Sequence, residues 1–201
     1  MYEGTLNVLK KINLELEKGE KVALVGESGS GKSVTTKLIL GLLNQKNVFK
    51  NGNIIFKDRE LINLSQREFK KIRGNNISII FQDPIAALNP VFKIKEQFFE
   101  VNCNGGKISK KDSFDKACEA LLKVSIRDPE RVMESYPFQL SGGMAQRVVI
   151  TMAMINNPDL LLADEPSTAL DVTVQNQALD LMDDLTKVTN TAVLLITHNM
   201  G

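Results

Sequence analysis

The sequence predicts an α/β fold built on a mainly parallel sheet, with a helical stretch set into it. Three observations carry this reading. Short apolar runs recur at residues 22–25, 76–81, 160–163 and 193–196, and each is followed by polar residues. Segments of helical spacing follow the first and third of these runs. Residues 91–138 mix Lys, Glu and Asn at helical spacing and suggest helices alone.

The N-terminal part comes first. Ile12, Leu14 and Leu16 alternate with polar residues, as a half-buried strand does. Gly19 and Glu20 form a turn, and residues 21–25 read as a buried strand. The next eight residues, Gly26-Glu27-Ser28-Gly29-Ser30-Gly31-Lys32-Ser33, spell G-x-x-x-x-G-K-S between that strand and a helix expected over 34–43. Glycines let successive N–H groups curl inward around an anion, and the following helix adds its positive N-terminal end. Lys32 reaches the outer phosphates of a nucleotide, and the Ser33 hydroxyl ligates magnesium. A plain Gly/Ser turn is the alternative. Tyr2, 24 positions before Gly26, offers a ring to stack on an adenine. A partly exposed tyrosine near the terminus is its alternative.

Residues 53–57 read as a further strand, and Ser65 with Glu68 forms a capping box opening a short helix. The strand at 76–81 ends in Gln82-Asp83-Pro84, where the proline stops any ladder. An amide at a strand's carboxyl end sits where ligands bind in open α/β sheets, or is simply a solvated loop residue. Within the helical stretch, Ser109 caps a helix with apolar positions Phe114, Cys118, Leu121 and Leu122, and Asp128-Pro129-Glu130 opens another. Ser141 caps a helix expected over 144–155, and Gly142 and Gly143 expose N–H groups at its start. That makes a second anion-binding helix end, or an ordinary Ser-capped helix.

The run at 160–163 ends in Asp164-Glu165-Pro166. Adjacent carboxylates there repel unless a cation or substrate is near. A magnesium ion held by Ser33 and Asp164 supplies that cation, and Glu165 then orients and deprotonates water. A loop at 167–171 leads to a helix over 172–187, with Val174, Ala178, Leu181 and Leu185 on one face. The last run ends in Thr197-His198, the chain's one histidine, placed to contact a terminal phosphate.

Composition excludes several classes. Lys+Arg number 25 and Asp+Glu 24 among 201 residues, so net charge shows no bias toward nucleic acid. Cys103 and Cys118 have neither metal-ligand neighbours nor C-x-x-C spacing, and read as free thiols in a reducing compartment. No apolar run approaches the length of a membrane-spanning helix, and the N-terminus shows no signal-peptide core.

Taken together, the motifs resemble those of the ATP-binding subunits of ATP-binding cassette (ABC) transporters. They are the loop at 26–33, Gln82, Leu140-Ser141-Gly142-Gly143-Met144, Asp164-Glu165, the loop at 167–171 ending in Asp171, and His198. They stand in the family's order across nearly the whole chain. Residues 81–90, Tyr136-Pro137-Phe138-Gln139 and residues 170–175 are similar to the dipeptide/oligopeptide/nickel importer branch. The resemblance implies a P-loop NTPase fold of ABC type, with N-terminal antiparallel strands and an inserted helical lobe. Its single domain comprises a nucleotide-binding core, residues 1–90 and 156–201, and a signature lobe, 91–155.

It implies ATP and magnesium as cofactors. Glu165, His198 and Gln82 are catalytic, and Ser33, Gln82 and Asp164 hold the metal. The nucleotide is bound by Tyr2, the loop at 26–33, Asp171, and Ser141-Gly142-Gly143 acting across a dimer of identical or homologous subunits. Partners are membrane permeases and, indirectly, a solute-binding protein. The expected location is peripheral, at the cytoplasmic face of the membrane. Members of this branch usually carry more residues at both ends, so the chain is expected to be truncated at both. Asn199 stands where the family commonly has aspartate. The rival class is a soluble cassette ATPase acting on ribosomes or DNA. Those usually carry two cassettes or a long coiled coil, and the importer-like stretch at 81–90 argues against it.

Overall fold

Among the described residues, four strands form one parallel sheet in the order β1-β6-β5-β4: β1 Lys21–Val25, β4 Ile77–Ile80, β5 Leu160–Asp164 and β6 Ala192–Thr197. The computed structural model describes residues 7–43, 48–104, 106–166 and 172–198. Tyr2 and the loop at 167–171, including Asp171, lie outside the described residues, as does the side chain of Val174. Parallel pairing requires long crossovers, and each is filled by helices. These are α1 Lys32–Ile39, α2 Gln66–Ile72, the one-turn α3 Pro84–Ala87, α4 Ile94–Asn104, α5 Lys110–Lys123, α6 Pro129–Glu134, α7 Gly142–Met154 and α8 Val172–Thr189.

β5 shows the sheet's two faces by its period of two. Leu161 and Ala163 join a large apolar cluster with Phe98, Leu121, Met133 and Ile150 of the helical stretch. Leu162 turns the other way, into a second cluster with Leu40, Phe69, Ile72 and Leu194. The sheet is thus covered on both faces, as parallel sheets require. β5, which ends in Asp164, thus has one cluster on each face.

Several expectations need correction. β1 is not a buried strand. It lies at the sheet's edge among the described residues, and Lys21, Ala23 and Val25 are exposed. An apolar run does not say whether its strand is central or marginal. Ile12, Leu14 and Leu16 do not form a strand, because no ladder partners them, and Ile12 and Leu14 are 51% and 41% exposed. The antiparallel pair is instead β2 Ile55–Phe56 with β3 Arg59–Glu60. Its turn residues Lys57 and Asp58 both adopt positive φ, 47° and 61°, as a type I′ hairpin demands. That turn ends the strand expected over 53–57 at Phe56. On α5 the buried line is Ser113, Ala117, Leu121, four residues apart, so Leu122 is turned outward.

Helix ends follow their caps. α2 carries both halves of the Ser65–Glu68 capping box, and Ser109, Asp128 and Ser141 each accept a backbone N–H of the helix they open. Asp83 does the same for α3, with Pro84 in the first turn. α1 begins at Lys32 and stops earlier than expected. Gly41 takes φ 61° just beyond it, and an added Cβ would lie 2.3 Å from the Phe69 ring. A side chain there is excluded by conformation and by space.

Candidate functional site

All the strand-borne site residues gather at one edge, the carboxyl ends of the parallel strands, where open α/β sheets place ligands. The loop at 26–33 leaves β1, His198 follows β6, Asp164 and Glu165 end β5, and Gln82 follows β4.

The loop turns into α1 at Gly31, whose φ is 97°. A Cβ there would meet Leu9 Cδ2 at 2.7 Å. Lys32 is only 8% exposed. Its ammonium donates to the carbonyls of Gly26 at 2.6 Å and Glu27 at 2.8 Å, charge-assisted bonds that offset its burial. The cation is thereby held across the loop it belongs to. The Ser33 hydroxyl donates to Asp164 Oδ1 at 3.0 Å, joining the loop to the end of β5 although β6 lies between their strands.

Glu165 is placed differently. Its backbone takes φ 50°, which non-glycine residues adopt rarely, and its N–H donates to the Ile196 carbonyl at 2.9 Å. Its carboxylate is bracketed: His198 Nδ1 lies 2.9 Å from Oε1, and Gln82 Nε2 donates to Oε2 at 3.2 Å. The structure therefore brings Ser33 together with Asp164, and Gln82 together with Glu165 and His198. Gln82 bonds to the second carboxylate rather than to the Ser33–Asp164 pair.

Ser33 and Asp164 offer two hard oxygens side by side. Magnesium is held by one or two protein oxygens, with phosphate and water completing its octahedron, and this pair suits that pattern. Among the described residues no group of three or more His, Cys, Asp or Glu could form an all-protein cage.

Ser141, Gly142 and Gly143 stand at the start of α7. The Ser141 hydroxyl accepts the Met144 N–H at 3.3 Å and the residue is exposed. Sequence reasoning passed over Gln146, further along the same helix. It is 2% exposed and donates to the Pro166 carbonyl at 3.0 Å. An amide among Ala145, Val148 and Val149 was the signal: a polar side chain inside a buried helix needs a partner.

This edge, with a phosphate loop, a serine–aspartate pair and a bracketed glutamate, defines a nucleotide-binding cassette. The chain belongs to the ABC transporter family, which matches it over residues 9–168. It is 47% identical over 201 residues to the oligopeptide transport ATP-binding protein OppD of Bacillus subtilis, covering all of this chain and 56% of that protein. Its identity to the dipeptide transport ATP-binding protein DppD of the same organism is 46%, over all of this chain and 60% of that one. The chain thus spans somewhat over half the length of these curated relatives. Among solved structures, it resembles the dimeric ATP-binding cassette MJ0796 in a post-hydrolysis state bound to ADP and Pi. There the TM-score is 0.82 and identity 31%, over 100% of this chain and 84% of that one.

Proposed function

We propose that this chain is the ATP-hydrolysing subunit of a membrane peptide importer, working by ATP-driven closure of a dimer. The observation that carries the reading is the bracketed Glu165 beside the Ser33–Asp164 pair. N–H groups at the start of α1 and the Lys32 ammonium hold the phosphates. Ser33 and Asp164 would hold a magnesium ion, which would supply positive charge to offset that of the phosphates. Glu165 takes a proton from the attacking water. The water oxygen bonds to the γ-phosphorus, the bond to the bridging oxygen breaks, and ADP and inorganic phosphate result. Gln82 and His198 fix both oxygens of the base, and His198 is 52% exposed and so free to meet the terminal phosphate.

The N-terminal end of α7, Ser141-Gly142-Gly143, serves the nucleotide of a second, identical or homologous subunit, while Tyr2 stacks on adenine and Asp171 joins the binding set. The single domain divides into a core, residues 1–90 and 156–201, and a signature lobe, 91–155, whose helices pack on the sheet through one apolar cluster. A 310 Å³ groove beside Gln82, lined by Phe81, Leu88, Phe92 and Val149, receives the permease. Phe81 and Phe92 in its wall are 39% and 48% exposed, and apolar side chains so placed mark interaction sites. Among the described residues no helix is long and apolar enough to cross a membrane, in keeping with a peripheral subunit at the cytoplasmic face. The relatives' names support peptide cargo over nickel.

The test is phosphate release by the purified protein with magnesium-ATP, read beside its size by light scattering. Turnover that needs magnesium, with a nucleotide-dependent dimer, is expected. Absence of magnesium-ATP hydrolysis overturns the reading.

A further inference from the structure

The backbone of Glu165 sits in a conformation it would not choose alone, so something must hold it. On one side its own N–H is tied to Ile196 of β6. On the other side the next residue, Pro166, has no N–H to give, and its carbonyl accepts from the buried amide of Gln146 at 3.0 Å. Gln82 and His198 clamp the carboxylate itself. Of these four restraints, three come from residues that follow or form strands of the sheet. Only Gln146 comes from α7, five residues after Ser141, roughly 7 Å along the helix at about 1.5 Å per residue.

From this arrangement we infer that Gln146 is a positioning residue for Glu165, linking the N-terminal end of α7 to the alignment of the base. The inference rests on the proposed hydrolytic reading. A helix of 13 residues moves as a rigid body. Whatever Ser141-Gly142-Gly143 engage therefore sets where the Gln146 amide lies, and the amide sets the Glu165-Pro166 turn. A single hydrogen bond, buried away from water, then makes the base ready only when α7 is correctly seated. Burial matters here, because a carbonyl left unpaired in that place has no water to accept from.

The experiment uses Gln146→Met, which keeps the length of the side chain and removes the donor. Gln146→Asn keeps a donor but withdraws it by one methylene, and serves if the first variant folds poorly. Thr151→Val is the control for lost stability. Thr151 lies on the same helix, is 3% exposed, and its hydroxyl bonds to the Arg147 carbonyl, away from Pro166. Affinity for magnesium-ADP, KM for ATP and kcat are measured for each. A base shifted by a fraction of an ångström to an ångström loses roughly 10- to 100-fold in rate. Gln146→Met is expected to lose kcat to that extent, with KM and ADP affinity at wild-type values and Gln146→Asn between. Thr151→Val, matched for thermal midpoint, is expected to keep its kcat. Undiminished kcat in Gln146→Met, or equal losses in Thr151→Val, overturns the inference while the wild type still turns over. A wild type without turnover overturns the hydrolytic reading and this inference with it.

Discussion

On the proposed reading, Glu165→Gln is expected to separate binding from chemistry. The carboxylate accepts from two donors, His198 Nδ1 on Oε1 and Gln82 Nε2 on Oε2. An amide of the same size has one accepting oxygen and one NH2 group. If the oxygen stays toward Gln82, the NH2 faces His198, and the imidazole must accept at Nδ1 and carry its proton on Nε2. The local frame survives with one tautomer change, so the fold is expected to keep its thermal midpoint. With Glu165 as the proposed base, the water's proton has lost its acceptor. General-base removal costs roughly 10²–10⁴-fold, which is about 3–6 kcal/mol of barrier at about 1.4 kcal/mol per decade. Binding moves the other way. One negative charge fewer near the phosphates is worth about 1 kcal/mol at ~4 Å in a water-like medium. Lys32, Ser33 and Asp164 are untouched, so magnesium-ATP binds as well or several-fold tighter. The assay is single-turnover phosphate release beside calorimetric ATP titration, with size-exclusion chromatography to read the ATP-bound dimer. Near-equal rates in the two proteins would remove Glu165 from the mechanism and leave its bracket a loop cap.

Other perturbations test other parts. Lys32→Ala removes a cation that must trade two loop carbonyls for phosphates. The net loss is therefore one charge-assisted interaction, about 10- to 100-fold in ATP affinity, and unchanged affinity by calorimetry would show that Lys32 does not reach the nucleotide. Gly41→Ala forces a Cβ against the Phe69 ring at a positive φ. Left-handed strain and overpacking together cost about 2–5 kcal/mol, read as a lower urea midpoint with an unchanged slope. Glu134 is held below its usual carboxylate range by hydrogen bonds from Lys95 and Lys93. A carboxylate lowered on folding stabilises above its unfolded pKa, near 4.5, and that contribution fades as pH falls through the folded value. The stability difference between wild type and Glu134→Gln is expected to be present at neutral pH and to vanish in acid. A difference that persists there would place the effect in packing.

The site was legible because chemistry fixes residue types at fixed spacings. A loop that wraps phosphates needs its glycines and lysine in order, and Asp164-Glu165 at the end of an apolar run is too costly to be idle. The frame was less legible where sheet order decides. Val22 to Val25 reads the same at an edge as at a centre, and only the placing of β6 beside β1 shows which it is. Ile12, Leu14 and Leu16 alternate without a partner strand, since alternation records a side-chain pattern and not a ladder. Lys57 and Asp58 turn a hairpin without glycine, so no composition marked it. Gln146 stayed hidden for the same kind of reason. Its meaning lies in Pro166, 20 residues on, and no local pattern states a bond of that span.

The order β1-β6-β5-β4 carries a consequence for synthesis. The phosphate loop leaves β1 and the carboxylates end β5, yet these strands do not touch; β6, Ala192–Thr197, lies between them and pairs with both. A ribosome delivers β1 first and β6 some 170 residues later, counted from Lys21↔Val193. At about 5–20 residues per second this is on the order of ten seconds or more. Until then β1 lacks the one strand it pairs with among the described residues, and the frame that brings Ser33 to Asp164 is incomplete. A nascent chain can therefore build its helical layers before the two halves of the site are held together. β6 is thus the element that draws the phosphate loop and the carboxylates to one edge of the sheet.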